Sequence, residues 1–504
     1  MIPNPIVDMG NFLPSLPAKR RITGDTQFMF QFYKPCIHFY APNEHIATYM
    51  SKDMLYQSLV VALHGCPLLF GRLKVHDKDK SVWLEYSPSD SNPPTLEFQT
   101  VDITYGELAQ RNFAYSVARQ HRIDMAIPDG TICSDAKHKD KPMLMIKVNY
   151  LADGGIAVFS MSNHVAFDGN AVFSFLAHWA SCNRRIDELQ TDTHKMEIPH
   201  DLQVYATSLV TNTSNGAVNA RPAEISVAAD KSAQEIGALI NKSIPPSEGT
   251  RACVFSISTE SLAQLHGKVK NSGVLGPSEW VSSNNVLAAF VGQCVARAST
   301  EAQTYATGDW TVFQTMDMRR ALGLSLQGLG SPLMLAECQM TFAEISSPAE
   351  LPFIAKRVRQ SINKYTGEYL QNAMDWMHHT YIQLAQRGVD EPWRRFWFTA
   401  LNTNSRAVGL SFMNRIPVYG ADFGAGRPAM ARSFNPRVNY IIVFPGPPLV
   451  IGDGGSKEIR EEAAASGKDF SELHLYVTLE TKAMEALLLD KSWSALCTLI
   501  SKES

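Results

Sequence analysis

The chain carries eight cysteines in 504 residues, with no CxxC pair and no His/Cys cluster at zinc spacing. A structural metal site is therefore not expected. A disulfide framework does not suit a chain of this size, and reduced thiols in a cytoplasmic setting fit better. No basic run of useful length occurs and the net charge is -3, which argues against a general nucleic-acid binder. No stretch approaches the ~20 apolar residues of a membrane span. The best candidate, residues 440–452, is broken by Pro445, Pro447 and Pro448. The opening MIPNPIVDMGNFLPSLPAKR lacks an apolar core of signal-peptide length. The NTS triplet at Asn212 is accordingly read as unused, and the closing SKES is not a peroxisomal address. No internal repeat is found.

Apolar residues are plentiful at 45%, against 19% charged. That supports a sizeable core in two large domains or in two to three ordinary ones. The clearest break is the polar stretch from Asn183 to about Thr250, rich in Asn, Thr, Ser, Lys and Pro. It reads as a long crossover, with a short helix near Ser232–Ile240. The expected division is an N-terminal domain over 1–200, a crossover over 201–250 and a C-terminal domain over 251–504. Gly452–Lys468 reads as a surface loop. Helix patterns cover Leu55–Leu63, much of Leu351–Ala385, and a stretch capped by Ser283 with Val286, Leu287, Phe290, Val291, Cys294 and Val295 on one face. Trp310–Met316 and His474–Glu480 read as strands, and Met484–Leu488 as a short helix. Both halves mix α and β without regular βαβ alternation.

The most informative segment is SNHVAFDG, Ser162–Gly169. Before it, Met143–Leu151 alternates, Asp153-Gly154-Gly155 closes a hairpin, and Ile156–His164 runs back. Ala157, Phe159 and Met161 share one face; Ser160, Ser162 and His164 share the other. After Gly169, the residues Val172, Phe173, Leu176, Trp179 and Ala180 mark one side of a helix. His164 thus stands where a strand gives way to a helix, among small polar neighbours. A histidine so placed can take a proton from a hydroxyl or amine. Asp168 can cap the helix that follows.

Three further segments accompany it: PLLFGRL at Pro67–Leu73, TMDMR at Thr315–Arg319 and IPVYGADFGAGRP at Ile416–Pro428. In this order and spacing the chain resembles the BAHD acyltransferases, including their fungal branch. SSNNVLAAF at Ser282 and the terminal LYVTLETKAMEAL extend the resemblance over about residues 50 to 490. It implies an α/β fold of two chloramphenicol-acetyltransferase-like domains, each a mixed sheet flanked by helices, with an active-site channel between them. It also implies transfer from an acyl-CoA co-substrate to a small-molecule alcohol or amine. No permanently bound cofactor, metal, nucleic acid or membrane is required, and the enzyme is expected to be a monomer.

By the same resemblance His164 is the catalytic base. Asp168 points away from the substrate and pairs with Arg319 of the DxR segment, while Gly169 permits tight packing. Asp422 and Gly424 belong to a motif that shapes the domain contact. Without a glycine-rich phosphate loop, a strand lysine or an HRD segment, this DFG is not that of a kinase. Ala425 replaces the usual tryptophan. Ser411 keeps a hydroxyl near the acceptor, but Met413 stands where relatives hold an N–H donor and cannot donate. The oxyanion donor is left open among Ser411, Asn414 and a backbone N–H. Ser282 and Ser283 match positions near the CoA phosphates, or simply cap a helix. Arg415 and Arg427 read as surface charges, and His378-His379 is not read as a metal site. The alternatives are a carrier-protein-dependent condensation-type enzyme, in which a second histidine would replace Asn163, and an inactive ligand-binding protein on the same fold.

Overall fold

In the computed structural model, the described residues are 6–7, 18–22, 33–64, 66–76, 82–125, 141–186, 221–228, 231, 235, 249–301, 308–324, 328–389, 392–399, 406–434, 437–449 and 470–503. The Gly452–Lys468 loop, Asn212 and most of the crossover and its helix lie outside them. Among the described residues no helix is long and apolar enough to cross a membrane, and no group of three or more His, Cys, Asp or Glu could hold a metal ion.

Two mixed sheets organise the chain. The first has six strands in the order Ile6–Val7, Thr95–Thr100, Leu144–Tyr150, Ile156–Asn163, Tyr33–Tyr40 and Met430–Ser433. The second has seven: Leu333–Thr341, Asp309–Asp317, Ala407–Phe412, Tyr440–Pro445, Glu472–Glu480, Thr250–Ser258 and Cys497–Lys502. The last strand of the first sheet comes from the C-terminal half and pairs antiparallel with Tyr33–Tyr40. Residues 251–504 therefore do not stay in one unit. The segment holding Asp422 crosses the seam to finish the other sheet's edge, which relieves that edge of unpaired backbone groups.

Strand alternation decides what each face buries. Leu144, Ile146, Val148, Ile156 and Val158 pack with helices Lys52–His64 and Gly169–Arg184. The opposite face, with Ile37, Phe39, Phe159 and Met161, packs with helices Tyr105–Gln110 and Tyr115–Gln120. In the second sheet Val312, Val408, Leu410 and Val443 meet the helices Thr259–Lys270, Ser283–Glu301, Leu351–Asn363 and Thr481–Leu489. Its other face supplies Phe313, Ile442, Phe444 and Tyr476 to the cluster that fills the first domain. Phe173 and Phe444 meet edge to face across the seam at 5.9 Å. The two halves thus share apolar burial, the dominant favourable term in folding.

Local signals account for the elements flanking the site. Gly154 takes φ 88° in the hairpin between Tyr150 and Ile156, a region where only glycine pays no steric cost. Helix Gly169–Arg184 starts on the side chain of Asp168 and buries Val172, Phe173, Leu176, Trp179 and Ala180. The 351–385 pattern resolves into two helices, Leu351–Asn363 and Gly367–Gln386, because Thr366 caps the second. One expectation is corrected. The cap of helix Ser283–Glu301 is Ser282, whose Oγ accepts from the Asn285 N–H at 3.2 Å. Ser283 is already helical.

Candidate active site

His164 follows strand Ile156–Asn163 directly, in the turn that leads to Asp168. Asn163 makes the turn: its Oδ1 accepts from the Val165 N–H at 2.9 Å, and its carbonyl accepts from Ala166 and Phe167. Such a side-chain-to-backbone bond is what Asn offers at turns. The imidazole is only 2% exposed. The ring is thus largely shielded from solvent at the seam between the two sheets.

The ring's neighbours set its chemistry. Nδ1 lies 2.9 Å from the Ser331 hydroxyl, itself buried. Burial, then the Lys34 ammonium and more weakly Arg437, hold the ring well below its ordinary pKa, against a bond to its own backbone carbonyl that favours the proton. Desolvation thus outweighs the ordinary imidazole value near 6.5. The imidazole is neutral at physiological pH.

Asp168 satisfies both readings the sequence left open, one with each carboxylate oxygen. Oδ1 accepts from the Ala171 N–H at 2.8 Å as the helix cap. Oδ2 accepts from Arg319 Nη1 in a fully buried ion pair. Arg319 also donates Nη2 to the carbonyls of Gly328 and Gly330, each at 3.0 Å, and Nη1 to Asp317 at 3.1 Å. The Gly330 N–H in turn donates to the Ala166 carbonyl, and Asp168 N–H to that of Gly330. Burial pushes the Asp168 carboxyl up, and Arg319 opposes this. For Arg319, burial is outweighed by Asp168 and Asp317, so its proton is held more firmly than usual. The loop that carries Ser331 is thereby locked to the turn that carries His164.

Across the seam, a Cβ on Gly169 would come within 2.5 Å of Met413 Sδ. Met413 follows strand Ala407–Phe412, where Ser411 is 4% exposed and shares its face with Gly409, opposite Val408 and Leu410 of the second core. Asn414 and Asn284 exchange amide hydrogen bonds at 3.1 and 3.3 Å, which ties Asn414 to the start of helix Ser283–Glu301. Ser282 Oγ donates to Asn285 Oδ1 at 2.8 Å besides capping. His164, Gly169, Arg319, Ser331, Met413, Asn414 and Ser282 thus form a continuous neighbourhood.

Asp422 and Gly424 stand apart from it. They pack on Asn183 and Arg184, at the far end of the helix that begins at Gly169. At 1.5 Å rise per residue that is ~20 Å away. Asp422 Oδ1 accepts from Gly424 and Gly426 N–H at 2.8 and 3.1 Å. Phe423 meets Trp179 edge to face at 4.6 Å, aromatic packing that Ala425 does not supply. Arg415 and Arg427 are exposed, and Arg427 Nε donates to the Tyr419 carbonyl.

Sequence reasoning missed Ser331 and Lys34. Ser331 is 167 positions from His164 and carries no local signal. Lys34 sits directly opposite Ser162 in the antiparallel pair with Ile156–Asn163. Only knowing that strand partner and its register could have found it.

The fold thus sets a buried histidine at the seam of two mixed sheets, its turn fixed through an Asp–Arg pair. The chain belongs to the Transferase family, the BAHD acyltransferases, whose model matches residues 126–460; it is an acyltransferase of the kind that uses a CoA thioester as co-substrate. It is 22% identical over 358 residues to Acyltransferase GLAUCE of Arabidopsis thaliana, covering 68% of this chain and 70% of that protein. Its fold matches F. graminearum TRI101 complexed with ethyl coenzyme A at a TM-score of 0.72 and 15% identity, over 96% of this chain and all of that one. Vinorine synthase matches at 0.64 and 17%, over 99% and 98%.

Proposed function

We propose that the protein transfers an acyl group from an acyl-CoA thioester to a hydroxyl or amine of a small-molecule acceptor, with His164 as general base. The observation that carries this reading is the neutral, buried imidazole whose Nδ1 is engaged by Ser331. With the hydrogen on Nδ1 donated to Ser331 Oγ, Nε2 presents its lone pair to an acceptor. The acceptor loses its proton to Nε2 as its oxygen or nitrogen attacks the thioester carbonyl. The tetrahedral oxyanion collapses, the C–S bond breaks, and the imidazolium returns the proton to the departing sulfur, giving free CoA thiol. A depressed pKa weakens the ring as a base but makes its imidazolium a stronger acid for that last transfer.

Asp168, Arg319 and Gly169 act through His164 by holding its turn. Ser411 faces the acceptor. Ser282 caps its helix, and Ser282, Ser283 and the first N–H groups of that helix are the groups that would meet the CoA phosphates. Asp422 and Gly424 support the seam. The enzyme acts as a cytoplasmic monomer. Asn163 is used as a turn-former, which speaks against a condensation-type enzyme with a second histidine there.

The test is thiol release from acetyl-CoA and longer acyl-CoAs against a panel of alcohols and amines. General acid–base catalysis contributes ~10²–10⁴-fold, so His164→Ala should lower kcat by about 10³-fold while CoA still raises the melting temperature. A variant within a few-fold of the parent rate would sink the reading.

A further inference from the structure

Lys34 is a lysine in an unusual place. Strand parity puts it with Cys36, His38 and Tyr40 on the face that also carries Ser160, Ser162 and His164. Its direct cross-strand partner is Ser162, two residues before the imidazole. In antiparallel pairs such partners lie ~5 Å apart at Cβ, so the ammonium reaches the region beside the ring. It makes no hydrogen bond and no salt bridge with the described residues. Among the described residues, the carboxylate that acts on it, Asp168, is already taken by Arg319 and the helix cap. Lys34 nevertheless keeps an intermediate exposure, whereas His164 and Ser162 are almost fully buried. It is therefore the most solvent-accessible of the three.

The electrostatics agree with this placement. Burial, then Arg437, lower the Lys34 pKa to about 8. Both cations also disfavour the imidazolium of His164. A cation with no ion-pair partner is costly to the extent that it is desolvated, and here it opposes the charge that the reaction must build on the ring. A negative group bound beside Lys34 would remove both penalties at once.

We propose that the space beside His164 receives a carboxylate or similar anionic oxygen group carried by one of the two reactants, with the Lys34 ammonium as its counter-ion. This rests on the acyl-transfer reading for the identity of the reactants. The anion belongs either to the acceptor or to the acyl group, and substrate choice separates the two.

Thiol release would be compared for acetyl-CoA and succinyl-CoA, each with acceptors offered as free acids and as their methyl esters. In one arm the acidic partner should be preferred in kcat/KM. In Lys34→Met the acidic substrate should lose ~30-fold more than its neutral counterpart, the scale of removing one member of a desolvated charge pair. Lys34→Arg should retain the preference. No acid preference in either arm, or an equal loss for acidic and neutral substrates in Lys34→Met, overturns the proposal; the equal loss would mean that Lys34 serves the chemistry or the fold. A separate arm needs no turnover. Phenylacetate and malonate, titrated at constant ionic strength, should raise the melting temperature of the parent and not of Lys34→Met. If that stabilisation appears while no substrate turns over, the acyl-transfer reading fails and the anion site stands. If the parent turns over but neither the preference nor the stabilisation depends on Lys34, the anion site fails alone.

Discussion

The two aspartate–glycine motifs, Asp168-Gly169 and Asp422-Phe423-Gly424, lie at opposite ends of one helix and do different work. Asp168 is buried and spends its two oxygens on two partners, one local and one 151 positions away. Asp422 is partly exposed and spends one oxygen on two N–H groups of its own loop. Each motif still binds the opposite half of the chain. Arg319 reaches Asp168 from the C-terminal half; Asn183, Arg184 and Tyr40 reach the Asp422 loop from the N-terminal half. One aspartate therefore fixes the turn that carries His164 and the other its own loop where the two halves meet, a difference set by what the second oxygen meets.

The sharpest way to break this comparison is to remove a partner from each. Arg319→Met leaves Asp168 as a buried carboxylate with only its cap bond. Breaking a buried pair from one side costs ~3–5 kcal/mol, and four donated hydrogen bonds to Asp168, Asp317, Gly328 and Gly330 go with it. The loop bearing Ser331 is released at the same time, so kcat should fall too. Asp422→Ala removes two bonds to a partly exposed carboxylate and should cost ~1–3 kcal/mol, with kcat per folded molecule retained. Urea unfolding of both variants beside the parent measures the difference. Equal losses, or an Arg319→Met protein that keeps its full rate, would erase the distinction.

A second test concerns the ring that Asp168 indirectly holds. His164 sits below its ordinary pKa of 6.5 because of burial and Lys34. The base form is lost only when pH falls through that lowered value, so the acid limb of kcat/KM should lie below pH 6.5. Removing Lys34 takes away a cation that disfavours imidazolium, which raises the ring's pKa. In Lys34→Met the acid limb should therefore move up toward 6.5, whereas Asp422→Ala should leave it in place. A limb already at 6.5 in the parent would mean that the ring is more hydrated than the structure describes.

How much of this was legible in the sequence follows from the range of each signal. The hairpin, the helix after Gly169 and the strand faces depend on alternation and turn chemistry within a dozen residues, and these emerge with ends shifted by a few positions. Asp168 could be read as a cap from its neighbours, and as Arg319's partner only through the family resemblance. What stayed hidden depends on register between distant strands. Nothing near Lys34 announces that Ser162 is its neighbour, nothing near Met430 announces an edge strand of the other sheet, and Asn414 gives no sign that its amide is occupied by Asn284. The charge environment of His164 is likewise a sum over three chain segments, which no local pattern encodes.

The smallest expected effect separates the glycines that end the two motifs. Gly424 has φ 104°, and a Cβ there would come within 2.6 Å of the Tyr49 ring, so Gly424→Ala meets both backbone strain and a rigid neighbour. Gly169 is helical, and the nearest atom to an added Cβ is the sulfur of Met413 at 2.5 Å. A flexible thioether can rotate aside more readily than an aromatic ring. Gly169→Ala should accordingly cost ~1 kcal/mol, the low end of overpacking. Adding Met413→Ala, which vacates that space, should make the same glycine change neutral or favourable, since alanine suits a helix better than glycine. The double-mutant cycle between positions 169 and 413 should then give a coupling of ~1 kcal/mol. Strict additivity would show that the two halves of the chain do not press on each other at this point. The contact between the His164 turn and the Ser411 strand would then lose its physical basis.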